Sequence, residues 1–281
     1  MARILLVIAL IGIVVVYLWR RRRAAAVATY PSTARTNAAD LLRLPGARTS
    51  ILEQHVRLWH RLPAPLQERL LLRLDEFLER IPFTGAHDFI VTETMRTVIA
   101  AQACIVTLGH EHYPFDDLRG ITVYPDEFVV EESAEDEDTG VVTEGSRTLS
   151  GQANGSDRLV LSWRDVEEAQ LHDDGYNVVI HEVTHFLERS YPGGDPAAHA
   201  ALTAAYESLC AAVDRGDETL LDPYGAEDPS EFLAVAAEFF FERPADLAVR
   251  HPMLYVLLRD SFRLDPAGWA PPPTAVGNAS S

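Results

Sequence analysis

Cysteine and positive charge are both scarce in this chain. Cys104 and Cys210 are its two cysteines. They are too few for a disulfide framework or a thiolate metal cluster, and their apolar helical surroundings suit a reducing compartment. Lys and Arg together number 24 against 42 Asp and Glu, a formal net charge of −18. Arg3 and Arg20 to Arg23 all fall within the first 23 residues, so the remainder is more acidic still. A surface of that sign repels phosphate backbones and tells against nucleic acid as a partner. A glycine-rich phosphate loop is missing, as are a dinucleotide-binding fingerprint and a G-x-S-x-G nucleophile elbow. No internal repeat is visible.

One long apolar run is present, Ile4 to Trp19, flanked by Arg3 and by Arg20-Arg21-Arg22-Arg23. It falls slightly short of the ~20 residues that span a bilayer, but the flanking arginines can snorkel and Tyr17 and Trp19 suit the interface. A cleavable signal peptide would carry its charge before the run and small residues after it, whereas here four arginines follow. Residues 1–23 are therefore expected to form one transmembrane helix with a basic stop-transfer flank. The excess of positive charge behind it puts the bulk of the protein on the cytoplasmic side of the cell (inner) membrane, as a single-pass protein. Residues 24–48, rich in Ala, Thr and Arg, read as a linker. Residues 49–268 are enough for one core, and 269–281, with Pro271-Pro272-Pro273, read as a disordered tail.

Within the domain, His181-Glu182-Val183-Thr184-His185 sets two imidazoles four apart with a carboxylate beside the first. On an α-helix such residues project from one face, one turn apart, so both rings can hold one ion. That spacing suits Zn²⁺, with Glu182 placed to take a proton from the water that the ion activates. The surroundings agree. Gly175-Tyr176-Asn177 offers a turn and an N-cap, Val178 to Leu187 is mostly apolar, and Tyr191-Pro192-Gly193-Gly194 stops the helix. A buried helix carrying two His and a Glu is costly unless those groups are used; a pair of satisfied core histidines is the competing reading.

Zinc needs a further ligand. Asp228 reads as an N-cap, Pro229 as the first residue of an apolar helix, and Glu231 as its third. Asp228-x-x-Glu231 also resembles a capping box, in which Glu231 would only reach back to the backbone. Glu238, seven residues on, shares the stripe. Glu231 as ligand, with Glu238 supporting a ligating His, is the preferred reading; Glu238, Glu227 and Asp222 remain alternative ligands.

The segment Tyr176 to His185, followed by Tyr224 and then Glu231-Phe-Leu-Ala-Val-Ala-Ala-Glu238-Phe-Phe-Phe241, resembles the Mlc titration factor A family of zinc metallopeptidases. Further matching segments are Thr94 to Arg96 with Ala100 to Cys104, Tyr124 to Val129, Leu159 to Trp163, and Pro252 to Tyr255. The likeness runs over roughly residues 48 to 268. It implies His181, His185 and Glu231 as zinc ligands, one zinc per chain, Glu182 as catalytic base and Tyr224 as its helper. It also implies peptide hydrolysis, with an aminopeptidase-like action, and a gluzincin-like arrangement. The chain departs from relatives at Phe186-Leu187-Glu188 and in a shorter stretch between His185 and Tyr224, which bears on the substrate pocket rather than the metal. One relative sequesters a sugar-responsive transcription repressor, so a regulatory binding protein is the second functional class.

The expected fold is α+β: helices near 49–61, 65–80, 93–108, 164–171, 177–190, 196–214, 230–242 and 251–262, with a small sheet from strands near 88–92, 120–124, 127–131 and 158–163. Arg158 to Trp163 could be an edge strand that pairs with extended substrate, or an ordinary interior strand. Glu131 to Asp138 reads as a solvated acidic loop. His110-Glu111-His112, in a polar turn, is a weak second metal candidate.

Overall fold

The computed structural model describes residues 46–126, 128–135, 142–149, 151–152, 157–190 and 196–269. The expected membrane segment 1–23, residues 24–45 of the expected linker and residues 270–281 of the expected tail lie outside the described residues. Among the described residues no helix is long and apolar enough to cross a membrane.

In chain order the helices are α1 (Ala47–His55), α2 (Ala64–Arg80), α3 (Glu93–Val106), α4 (Trp163–Leu171), α5 (Val178–Ser190), α6 (Pro196–Arg215), α7 (Pro229–Glu242), α8 (Pro244–Arg250) and α9 (Pro252–Phe262), with short 3-10 turns at Arg57–Arg61, Pro223–Ala226 and Pro266–Gly268. The strands are β1 (Phe83–Gly85), β2 (Gly120–Tyr124), β3 (Phe128–Glu135), β4 (Val142–Leu149), β5 (Gly151–Gln152) and β6 (Arg158–Ser162). Helices dominate and the main sheet is small, as an α+β reading requires.

Helix α3 explains the layering. Thr92 caps it by accepting the Met95 N–H at 3.2 Å, and every residue from Thr97 to Val106 is buried. A helix apolar on all sides must be enclosed, and α1, α2 and α5 pack around it. The four-stranded sheet runs β1-β2-β6-β5, with β1, β2 and β6 parallel and β5 antiparallel to β6. Ile121, Val123, Leu159, Val160 and Leu161 are all buried, the near-continuous apolar run of strands covered on both faces. Helices α4 and α5 lie against β6, and α5 also packs on α7. Of the two helices that carry the site residues, α5 is thus held between the sheet and α3, and α7 is held by packing on α5.

Several expectations need correction. Of the two readings left open for Arg158 to Trp163 the interior one holds, since β6 pairs with β2 along its length and with β5 at Val160 and Leu161, where no substrate strand can add. Residues 88–92 are not a strand; the strand is β1, and the chain then turns sharply. His87 and Asp88 take positive φ of 50° and 62°, and Phe89 folds back so closely that a Cβ on Gly85 would meet its carbonyl oxygen. Only glycine tolerates that approach. The apolar string Phe89-Ile90-Val91 suggests a strand, yet Ile90 is 80% exposed. Residues 49–61 split into α1 and a 3-10 turn because Val56 is extended. Glu131–Glu135, expected as loop, belongs to β3 and pairs antiparallel with β4; 136–138 lie outside the described residues. Helix α8 was not expected.

Candidate metal centre

The entrance to α5 is built by four consecutive residues, Asp174 to Asn177. Gly175 has φ +96°, and a Cβ there would drive into the Phe239 ring. Asp174 Oδ1 accepts the Tyr176 N–H at 3.1 Å. Asn177 Oδ1 then accepts the N–H groups of Val179 and Ile180, both at 3.2 Å, satisfying donors that a helix start leaves open. Val178, Val179, Ile180, Val183 and Phe186 are buried. With the apolar face fixed inward, His181 and His185 are left on one stripe with Nε2 atoms 3.1 Å apart.

Helix α7 supplies the opposing side. Asp228 caps it, its Oδ1 accepting the N–H groups of Ser230 at 2.8 Å and Glu231 at 3.1 Å. The capping half of the rival reading is therefore correct, but the Glu231 carboxylate points elsewhere. Its Oε2 lies 3.0 Å from His181 Nε2 and 3.4 Å from His185 Nε2. Donor atoms of His181, His185 and Glu231 all lie within 4.8 Å of one another, the one such group of three or more among the described residues.

These residues fit a zinc ion. Bonds of roughly 2.0–2.1 Å at a tetrahedral centre set ligand atoms about 3.3 Å apart, and the three separations here are 3.0, 3.1 and 3.4 Å. The outer nitrogens agree. His181 Nδ1 donates to Glu238 Oε1 at 2.7 Å. His185 Nδ1 stands 2.9 Å from Ser230 Oγ, which itself donates to Glu188 Oε2 at 2.6 Å. Both rings are thereby set in the tautomer that turns a bare Nε2 lone pair inward. Two facing lone pairs at this distance need a cation or a shared proton between them.

The same contacts set the electrostatics of the cluster. Burial alone would lower the His181 pKa, but the Glu231 and Glu238 carboxylates outweigh it and raise it to about 10. Burial pushes Glu231 upward, yet its hydrogen bonds to both imidazoles hold it well below the usual carboxylate range. For Glu238 the burial effect wins over His181 and the shift is upward. Glu182 is 4% exposed, and burial lifts it to about 7 against the pull of His181 and His185. Its Oε2 is buried with no hydrogen-bond partner among the described residues. A carboxylate near neutrality with a free oxygen suits general-base work.

Tyr224 sits in the 3-10 turn before α7, where Asp222 Oδ1 accepts its N–H at 2.9 Å, and its ring centre lies 6.1 Å from that of His181. Of the alternative ligands, Asp222 is occupied as this cap, Glu227 is exposed, and Glu238 faces the outer nitrogen of His181. Among the described residues His110-Glu111-His112 forms no group of three metal-ligating atoms; Arg69 and Arg73 bind the His110 carbonyl, and Arg73 also binds that of His112 at 3.1 Å. Cys104 and Cys210 are both free.

Sequence reasoning missed Ser230, Glu188, Asn177 beyond its capping role, Glu242 and Arg57. Glu242 did leave a signal, standing four residues after Glu238 on the same face of an apolar helix. Arg57 left none, being far away along the chain.

Comparison with known proteins adds an independent line. Residues 30–263 match the family model of the glucose-regulated metallo-peptidase M90 family. Over 240 residues the chain is 31% identical to an uncharacterized protein of Synechocystis sp., covering 79% of this chain and 86% of the relative. It is 31% identical to Mlc titration factor A of Pectobacterium atrosepticum, over 72% of this chain and 82% of that protein. Against Mlc titration factor A of Serratia proteamaculans the identity is 32%, over 71% and 80%.

Proposed function

The chain belongs to the M90 family of glucose-regulated metallo-peptidases, and from that premise we propose that it is a zinc-dependent peptidase working at His181, His185 and Glu231. The observation that carries this reading is the triangle of inward-facing donor atoms with Glu182 beside it. A zinc ion held there would keep a fourth position open and supply Lewis acidity and an activated water.

The chain's own residues then divide the work. Glu182, poised near neutrality, takes the proton of the attacking water and returns it to the departing amine. Tyr224 is assigned a hydrogen bond to the oxyanion that develops on the scissile carbonyl. Glu238 and Ser230 hold the two rings in register. Cleavage from the amino end of short peptides is the finer form of this proposal.

A regulatory role is the second reading, favoured by the relatives named Mlc titration factor A: this chain would bind a transcription repressor and hydrolyse weakly or not at all. Turnover of a panel of chromogenic peptides separates the two. Wild-type protein is expected to cleave at least one, Glu182→Gln to retain zinc and lose hydrolysis, and His181→Ala to lose both. Undiminished hydrolysis in Glu182→Gln would remove the assigned base.

A further inference from the structure

Behind the outer nitrogen of His181 runs a chain of hydrogen bonds, buried as far as Glu242, that the peptidase reading does not require. Glu238 Oε1 takes the imidazole N–H, and its Oε2 takes the backbone N–H of Asn177 at 2.5 Å. The Asn177 side chain donates from Nδ2 to Glu242 Oε1 at 2.7 Å. Glu242 Oε2 accepts from Arg57 Nη2 at 2.5 Å. The backbone N–H of Arg57 is held by Gln170 Oε1, and Gln170 Nε2 donates to Gln102 Oε1 in the core helix α3, each at 3.1 Å.

We propose that Asn177 and Glu242 are positioning residues for the metal-facing ring of His181, acting through Glu238; this rests on the metal-centre reading above. Glu238 and Glu242 are one turn apart on α7, so two buried carboxylates stand side by side. Burial pushes both upward. Asn177 reaches both, giving its main-chain N–H to one and its amide to the other. Its remaining oxygen caps α5 four residues before His181, and its carbonyl accepts the His181 N–H at 3.0 Å. One residue thus ties the helix carrying the ring to the carboxylate that orients the ring.

A purely cohesive role would not need this chemistry. The Glu242 side chain is 1% exposed, and taking a carboxylate out of water costs on the order of several kcal/mol, which apolar packing would avoid. Glu242 instead gives the Asn177 amide a fixed acceptor, and so holds the residue whose main-chain N–H anchors Glu238 Oε2. Donor placement within about 0.5 Å separates a working metal site from a loose one.

The experiment exchanges the polarity of the Asn177–Glu242 bond. Asn177→Asp keeps the cap but turns an oxygen toward Glu242. Asn177→Asp/Glu242→Gln restores a hydrogen bond in the reverse sense. Zinc affinity is read at pH 8 by chelator competition, the Co²⁺-substituted visible spectrum reports ligand geometry, and the melting temperature is followed separately. Asn177→Asp is expected to bind zinc roughly 10–100-fold more weakly with an altered cobalt spectrum, and the double variant to recover most of both. Unchanged affinity and spectrum in a folded Asn177→Asp, whatever its melting temperature, would overturn the proposal. So would a double variant no better than the single one. Should Asn177→Asp fail to fold, Glu242→Leu carries the same test, with weaker zinc binding expected and unchanged binding fatal. Wild-type protein that takes up no zinc would overturn the metal-centre reading itself, an outcome distinct from an indifferent Asn177→Asp.

Discussion

His185 Nδ1 lies 2.9 Å from Ser230 Oγ, and the serine hydroxyl donates a hydrogen bond to Glu188 Oε2 at 2.6 Å. The two imidazoles are therefore oriented by unlike devices: His181 by the buried Glu238, His185 by a serine at the helix entrance with an exposed carboxylate behind it. Ser230→Ala should leave His185 free to turn. We expect zinc affinity to fall by about tenfold with little change in melting temperature, measured by chelator competition beside a thermal scan. Affinity equal to wild type would mean that Ser230 plays no part in setting the ring.

Asp228 carries a separate, structural load. It satisfies two open N–H groups at the start of α7, and removing such a cap costs about 1 kcal/mol. In a domain of this size Asp228→Ala should lower the melting temperature by roughly 2–4 °C. Asp228→Ser, which keeps an acceptor, should recover most of that difference. Equal melting temperatures for all three proteins would contradict the capping role.

Proton release accompanies metal uptake. Without metal His181 is raised to about 10, so the folded protein keeps the extra proton through neutral pH. Nε2 must lose that proton to bind an ion, and between about pH 6 and 9 each unit of rising pH should tighten zinc binding about tenfold. Calorimetric titration in buffers of differing ionisation enthalpy should show close to one proton released at pH 7. A heat independent of the buffer would contradict this protonation state.

Residues 1–23 are proposed as a single-pass membrane anchor with the peptidase domain in the cytoplasm. The full chain should stay with membranes after alkaline carbonate washing, and a form lacking these residues should move to the soluble fraction. Full-length protein that the wash releases would refute the anchor.

Much of the centre was legible because its chemistry is local. His181 and His185 share one helical stripe with Glu182 beside it, and the spacing alone sets both rings toward one point. Glu231 was harder, since Asp228-x-x-Glu231 serves a capping box and a metal ligand equally well. Side-chain direction decides between them, and sequence does not record it. Asn177 read correctly as a cap, but its bonds to Glu238 and Glu242 cross between helices and have no periodicity to betray them. The same limit explains the strand errors. Phe89-Ile90-Val91 has strand composition, yet the close approach at Gly85 turns the chain away from the sheet. Arg158 to Ser162 carried the apolar run of a covered strand, which left edge and interior readings open; its partner β2 lies far back in the chain, and the short nearby β5 on its other side has no strand signal of its own.

The most direct test of the central claim is metal analysis of purified wild-type protein beside Glu231→Ala and Glu227→Ala. One zinc per chain in wild type and in Glu227→Ala, with most of it lost from Glu231→Ala after dialysis against a mild chelator, is the expected result. Full retention of zinc by Glu231→Ala would contradict the assigned centre.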